Sequence, residues 1–182
     1  MCKFFSGVVV RNGDVLSHPM LDNHHDIVRY FGLPDTMVNH RHFAKVELHP
    51  KDWLDVSTWE FVVDEPTKPD WLEDIQPSVE DTMRRIAKKM ILTEKTKIPT
   101  MILDGCWIIG GSAVVKDVRG GRIIRVQDSA QISDVMGSAR ISGVMGSVQI
   151  SGVRGSAQIS DVGGSAKLDE SAETHCKIRY SK

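Results

Sequence analysis

The sequence predicts an α+β N-terminal domain followed by a β-solenoid of nine-residue repeats. Three observations carry this reading. Residues 128–168 run as DSAQISDVM, GSARISGVM, GSVQISGVR, GSAQISDVG and GSAKL, a fixed period of nine. A short fixed period marks stacked units, none of which can bury its apolar face alone. All four tryptophans (Trp53, Trp59, Trp71, Trp107) lie before residue 110, whereas most of the 15 glycines lie after it, so the two halves differ in kind. The first half, finally, mixes hairpin, strand and helix-cap signals and does not repeat. The α+β domain is placed at residues 1–102, the solenoid at 103–170 and a polar C-terminal tail at 171–182.

Taken in order, Lys3–Arg11 is a strand candidate around the apolar run Gly7–Val10. Asn12-Gly13 turns it back into Asp14–Leu16, because both turn residues accept the positive φ of a tight hairpin. Asp22 and Asn23 can cap a short helix around His24–Phe31 that stops at Gly32. Val38–His49 alternates as a strand with one buried face, His40, His42, Ala44, Val46 and Leu48 on one side and charged or mixed residues on the other. Trp59–Val63 is a further strand. Ser78-Val79-Glu80-Asp81 reads as a capping box opening a helix that runs to about Leu92 on the stripe Val79, Met83, Ile86, Met90.

The repeat has three apolar columns. Ala113, Ala130, Ala139, Val148, Ala157 and Ala166 form the first; Val115, Ile124, Ile132, Ile141, Ile150, Ile159 and Leu168 the second; Val118, Val126, Val135, Val144, Val153 and Val162 the third. The first two columns are two residues apart, the spacing of one strand face. Gly-Ser at the boundary supplies the turn. Two repeats per coil, with rungs about 4.8 Å apart, would fill a thin core. The outward positions carry whatever the solenoid recognises, and Arg119, Arg125, Arg140 and Arg154 are the candidates there, being suited to phosphate or carboxylate. The polar tail offers a strand to a second protomer, which would give a homodimer.

Composition narrows the function. With 23 Lys+Arg against 24 Asp+Glu among 182 residues, the chain is not a polycationic nucleic-acid coat. No apolar run approaches the roughly 18 residues of a membrane span. Three scattered cysteines (Cys2, Cys106, Cys176) make neither a disulfide framework nor a zinc motif and fit a reducing cytoplasm. No Walker loop, nucleophile elbow or dinucleotide fingerprint is present, and a six-residue acyltransferase period or a G-G-x-G-x-D calcium repeat is absent. His40 with His42, and His24 with His25, are the histidine pairs, but no third ligand is singled out. The expectation is a non-enzyme with no cofactor and no metal.

Charge is more informative. From Asp52 to Asp81 there are ten acids and one base, Lys68; from Arg84 to Lys97 six bases face Glu94 alone. Acids at a helix start and bases at its end account for Glu80, Asp81 and the bases that follow. They leave Asp64, Glu65, Asp70, Trp71, Glu73 and Asp74, read as a Pro-interrupted acidic loop bearing an aromatic, as a candidate surface for a basic partner.

The opening MCKFFSGVVVRNGDVLSHP, the later DGCWIIGGSAVV and the serine/valine repeat together resemble phage type II-A anti-CRISPR proteins. The resemblance implies a stoichiometric inhibitor of the guide-loaded type II CRISPR nuclease, acting in the host cytoplasm during infection, with double-stranded DNA as a further contact. That nuclease reads its PAM with arginines and holds nucleic acid in basic channels. The acidic residues would therefore act as DNA-mimicking bait, and the solenoid as a spacer that blocks nuclease-domain docking. Two other classes remain open: a structural or adhesive phage rod, and a DNA-mimic inhibitor of another host enzyme.

Overall fold

The computed structural model describes residues 5–34, 42–94, 104–169 and 177–180. Residues 38–41 of the expected strand, His40 included, lie outside the described residues, as do Cys2, Cys176 and tail residues 171–176. The chain forms two compact units, divided between Lys89 and Met90. Among the described residues no helix is long and apolar enough to cross a membrane.

The first unit is built on a four-stranded antiparallel sheet in the order Val15–Leu16, Phe5–Val10, Phe43–His49, Glu60–Val63. β1 (Phe5–Val10) turns through Asn12-Gly13 into β2 (Val15–Leu16). Gly13 has φ +92°, and the Asn12 Oδ1 accepts from the Asp14 amide at 3.1 Å, so the turn is the one its sequence demands. Asn23 caps α1 (His24–Tyr30), accepting from the Asp26 amide at 2.8 Å. α1 packs on the face of Val8, Val10 and Phe43. β3 (Phe43–His49) is the central strand, and β4 (Glu60–Val63) follows a 3-10 turn at Val56–Thr58.

Two expectations change here. β3 is buried on both faces: Phe43 and Glu47 are as enclosed as Ala44, Val46 and Leu48. The reason is that α1 covers one face, while Met83 of the second helix stands over Gly7 on the other, 3.5 Å from where a Cβ would be. That helix, α2 (Asp70–Lys88), begins eight residues before the expected capping box and runs through Pro77. Its apolar stripe extends back past Pro77 through buried Leu72, seven residues before Val79 and so on the same face. Burying Leu72 outweighs the one backbone bond that Pro77 cannot make. Its C-terminal end is also earlier than expected, because Ile91–Leu92 form a strand.

The second unit is a β-solenoid of about four turns over residues 91–180. One parallel sheet holds six strands: β5 (Ile91–Leu92), β6 (Cys106–Ile109), β8 (Arg122–Val126), β10 (Arg140–Ile141), β12 (Gln158–Val162) and β14 (Lys177–Tyr180). The other holds β7 (Val114–Val118), β9 (Gln131–Val135), β11 (Gln149–Ile150) and β13 (Lys167–Leu168). Arg122 pairs Arg140, Arg140 pairs Gln158 and Gln131 pairs Gln149, each step 18 residues, so one coil lays one strand into each sheet. The Ala, Ile and Val columns meet between the sheets as a continuous buried core.

One column member is different. Ile123, not Ile124, pairs with Ile141 and fills the core, and Ile124 is only half-buried. The residue missing from the short repeat at 120–127 falls ahead of β8: Ile123 keeps the three-residue spacing to Val126 that Ile141 keeps to Val144, so Ile124 takes the place of Ser142 and is bulged only against β6.

Candidate functional site

The acidic stretch is not one loop. Asp64 and Glu65 leave the end of β4, and both are engaged within their own unit. Asp64 Oδ2 lies 3.1 Å from His24 Nδ1, and Glu65 Oε1 accepts from the Lys45 amide at 3.2 Å. Asp70, Trp71, Glu73 and Asp74 belong to the first five residues of α2. Pro69 starts that helix without a side-chain cap, so Asp70 and Glu73 supply the negative charge that its amide end favours. Their side chains and that of Asp74 are exposed, and Trp71 is half-buried. The six residues thus separate into a pair already bonded within its own unit and an exposed acidic helix start.

The four arginines also separate. Arg119 makes a bidentate pair with Asp117, both bonds 2.7 Å. That hydrogen bonding holds the Asp117 carboxyl below its ordinary range and pushes the guanidinium of Arg119 up. Arg154 Nη2 lies 3.4 Å from Asp134 Oδ1. Arg125, beside the bulge, donates to Gln127 Oε1 at 3.2 Å. Asp117 and Asp134 themselves have φ of +65° and +54°, and Gly143 and Gly152 hold the same left-handed place in other repeats. These aspartates serve the turn, since Asp and Gly are the residues that enter this region at least cost.

Arg140 is the exception, because it lines a groove of about 490 Å3 on the outer face of the six-stranded sheet. Arg122, Lys177 and Arg179 line the same groove, with Gln158, Ser142 and Ser160 between them. Among the described residues no acidic side chain lines it. Register builds this strip: Arg122, Arg140, Gln158 and Lys177 stand at matching places on β8, β10, β12 and β14. Rungs about 4.8 Å apart put Arg122 and Arg140 side by side and Lys177 about 10 Å beyond Arg140. The groove on the opposite sheet is of similar size, about 480 Å3, but its lining is mostly Gln, Ser and apolar, with Lys116, Lys167 and Asp169. One repeat therefore presents a weakly charged face and a strongly basic one.

Lys177 and Arg179 were not singled out by the sequence reading, which assigned them to the polar tail. The signal was a faint one: Lys177-Ile178-Arg179 copies the outward-inward-outward pattern of Gln158-Ile159-Ser160, and Ile178 packs against the core. The step from Gln158 to Lys177 is 19 residues, not 18, which hides it from a strict period. Comparison with protein-family models, with curated proteins and with solved structures finds no match to this chain.

Proposed function

We propose that this chain is a binding inhibitor of a guide-loaded type II RNA-guided DNA nuclease, and that its solenoid engages nucleic acid. The observation that carries this reading is the basic groove. Four cations on a rigid sheet, with hydroxyl and amide side chains between them, suit a phosphate backbone, which is recognised through charge and spacing. The resemblance of the N-terminal run supplies the target. The exposed acids Asp70, Glu73 and Asp74 are the remaining bait for the basic channels of the nuclease. In this reading the solenoid is a contact surface, and double-stranded DNA or the guide–target hybrid is what it touches.

Plasmid cleavage tests the proposal: guide-loaded nuclease, a fixed target and increasing amounts of this protein. Cleavage is expected to cease near equimolar inhibitor. Arg122→Glu with Arg140→Glu is expected to shift the titration to higher inhibitor with unchanged circular dichroism, since both side chains are exposed. Lysine at Asp70, Glu73 and Asp74 isolates the bait; unchanged inhibition by that variant would remove the acidic surface from the mechanism. Undiminished cleavage at large excess, together with concentration-dependent oligomers in light scattering, would instead favour the phage rod.

A further inference from the structure

The first unit gathers one imidazole and two carboxylates where α1, β3 and the end of β4 meet. His24 begins α1 and Glu47 lies on β3; each is 5% exposed. His24 Nε2 stands 3.1 Å from the Val46 carbonyl oxygen. A carbonyl only accepts, so Nε2 carries the proton and the lone pair of a neutral imidazole is on Nδ1. That nitrogen faces Asp64 Oδ2 at 3.1 Å and Glu47 Oε1 at 3.9 Å. All three atoms lie within 4.8 Å of one another. Two carboxylate oxygens thus converge on the one ring nitrogen left to bind a cation, which a metal ion there, or a proton on Nδ1, would balance.

We propose that His24 Nδ1, Glu47 Oε1 and Asp64 Oδ2 bind one divalent transition-metal cation of the Zn2+ or Mn2+ class. One nitrogen and two carboxylate oxygens suit such borderline ions, and the two carboxylates balance the dication. The outer groups are those that hold metal ligands in place. The second ring nitrogen of His24 donates to a backbone carbonyl, and Glu47 Oε2 takes His49 Nε2. An ion about 2.1 Å from each ligand sets the ligand atoms roughly 3.0–3.5 Å apart. The 3.1 Å from His24 Nδ1 to Asp64 Oδ2 matches that spacing, while the 3.9 Å to Glu47 Oε1 is wider and must close as an ion enters. The side chain of Asp64 is 58% exposed and free of the close packing around His24 and Glu47, so it can complete the adjustment. Its exposure also places the fourth ligand position toward solvent, where water would occupy it.

The test is independent of nuclease inhibition. Full-length protein is stripped with chelator, then titrated with Zn2+ and with Mn2+ by calorimetry, with thermal melts in parallel. The expected result is one ion bound per chain and a raised melting temperature. Asp64→Asn, an exposed substitution that leaves the fold in place, is expected to weaken binding at least tenfold. His49→Gln is expected to weaken it about tenfold or more through Glu47. Identical melts in metal and in chelator, with no heat of binding, would overturn the proposal and make His24 an imidazolium closing the network with a proton. Binding undiminished in both variants would also overturn it, placing the ion on other histidines or cysteines.

Discussion

Asp134 and Gly152 stand one coil apart at the same left-handed place, and the Cβ position of Gly152 lies 3.1 Å from the Asp134 amide. Asp and Gly share this place down the repeat as two answers to one backbone demand. Asp134→Asn or Asp134→Gly should therefore change stability by only a few tenths of a kcal/mol, whereas Asp134→Val should cost about 2 kcal/mol in urea unfolding. Two glycines separate conformation from crowding. Gly137 and Gly155 have φ of +66° and +70°, but a Cβ at Gly137 would stand 2.3 Å from the Arg119 carbonyl oxygen, against 3.5 Å to the nearest atom at Gly155. Gly155→Ala should cost about 1 kcal/mol, and Gly137→Ala about 3 kcal/mol or more. Equal costs would show that the turn, not the neighbouring coil, sets the demand.

Among the elements, α2 is the most instructive. Its capping-box motif at Ser78 sits inside the helix, and the true start at Asp70 has acids but no capping side chain. The motif was legible and misleading, because local capping chemistry lost to the burial of Leu72. Farther along, Glu80 accepts from Gln76 Nε2 at 2.8 Å and from Arg84 Nη1 at 2.7 Å, while Arg84 Nη2 donates to the Trp59 carbonyl at 2.9 Å. Burial pushes the Glu80 carboxyl up, and the hydrogen bonds from Gln76 and Arg84 pull it further down, leaving it below its ordinary value of 4.5. A lowered folded value means stability that is fully present above pH 4.5 and is lost as pH falls through the folded value. Glu80→Gln should thus be less stable than the parent at neutral pH, with the gap closing on acidification. Arg84→Ala should cost about 1–3 kcal/mol, since it removes a charged donor from both Glu80 Oε2 and the Trp59 carbonyl. Both effects are read by thermal melts across a pH series.

At the scale of the whole molecule, the solenoid was the most legible part, because a nine-residue period in small and β-branched residues admits few structures. The site was legible only in part. Sequence gives the outward positions but not which of them pair locally, and three of the four arginines chosen there have a neighbouring partner: Asp117 for Arg119, Gln127 for Arg125 and Asp134 for Arg154. Nor does a period reveal that a strand from the tail completes a face. The histidine cluster was still harder to foresee, since His24, Glu47 and Asp64 are spread over 41 positions and meet only through the sheet order. If the groove holds a phosphate backbone, log affinity should fall linearly with log salt. Removing Arg122 or Arg140 should each lower that slope by about 1, while Arg119→Ala should leave it unchanged.

A coil that lays one strand into each sheet makes the solenoid count in twos. Copying 18 residues, for example 137–154, would lengthen the molecule by one rung of about 4.8 Å and keep every later residue on its own side. Copying nine, 137–145, would fold as readily but send all that follows to the opposite sheet. Lys177 and Arg179 would then leave Arg122 and Arg140, and the basic strip would be cut in half with no residue mutated. Duplications in this chain thus keep later residues on their face when even and switch it when odd, and a polyanion-binding assay on the two insertions, the even one adding a second copy of Arg140 to the strip, would read that parity directly.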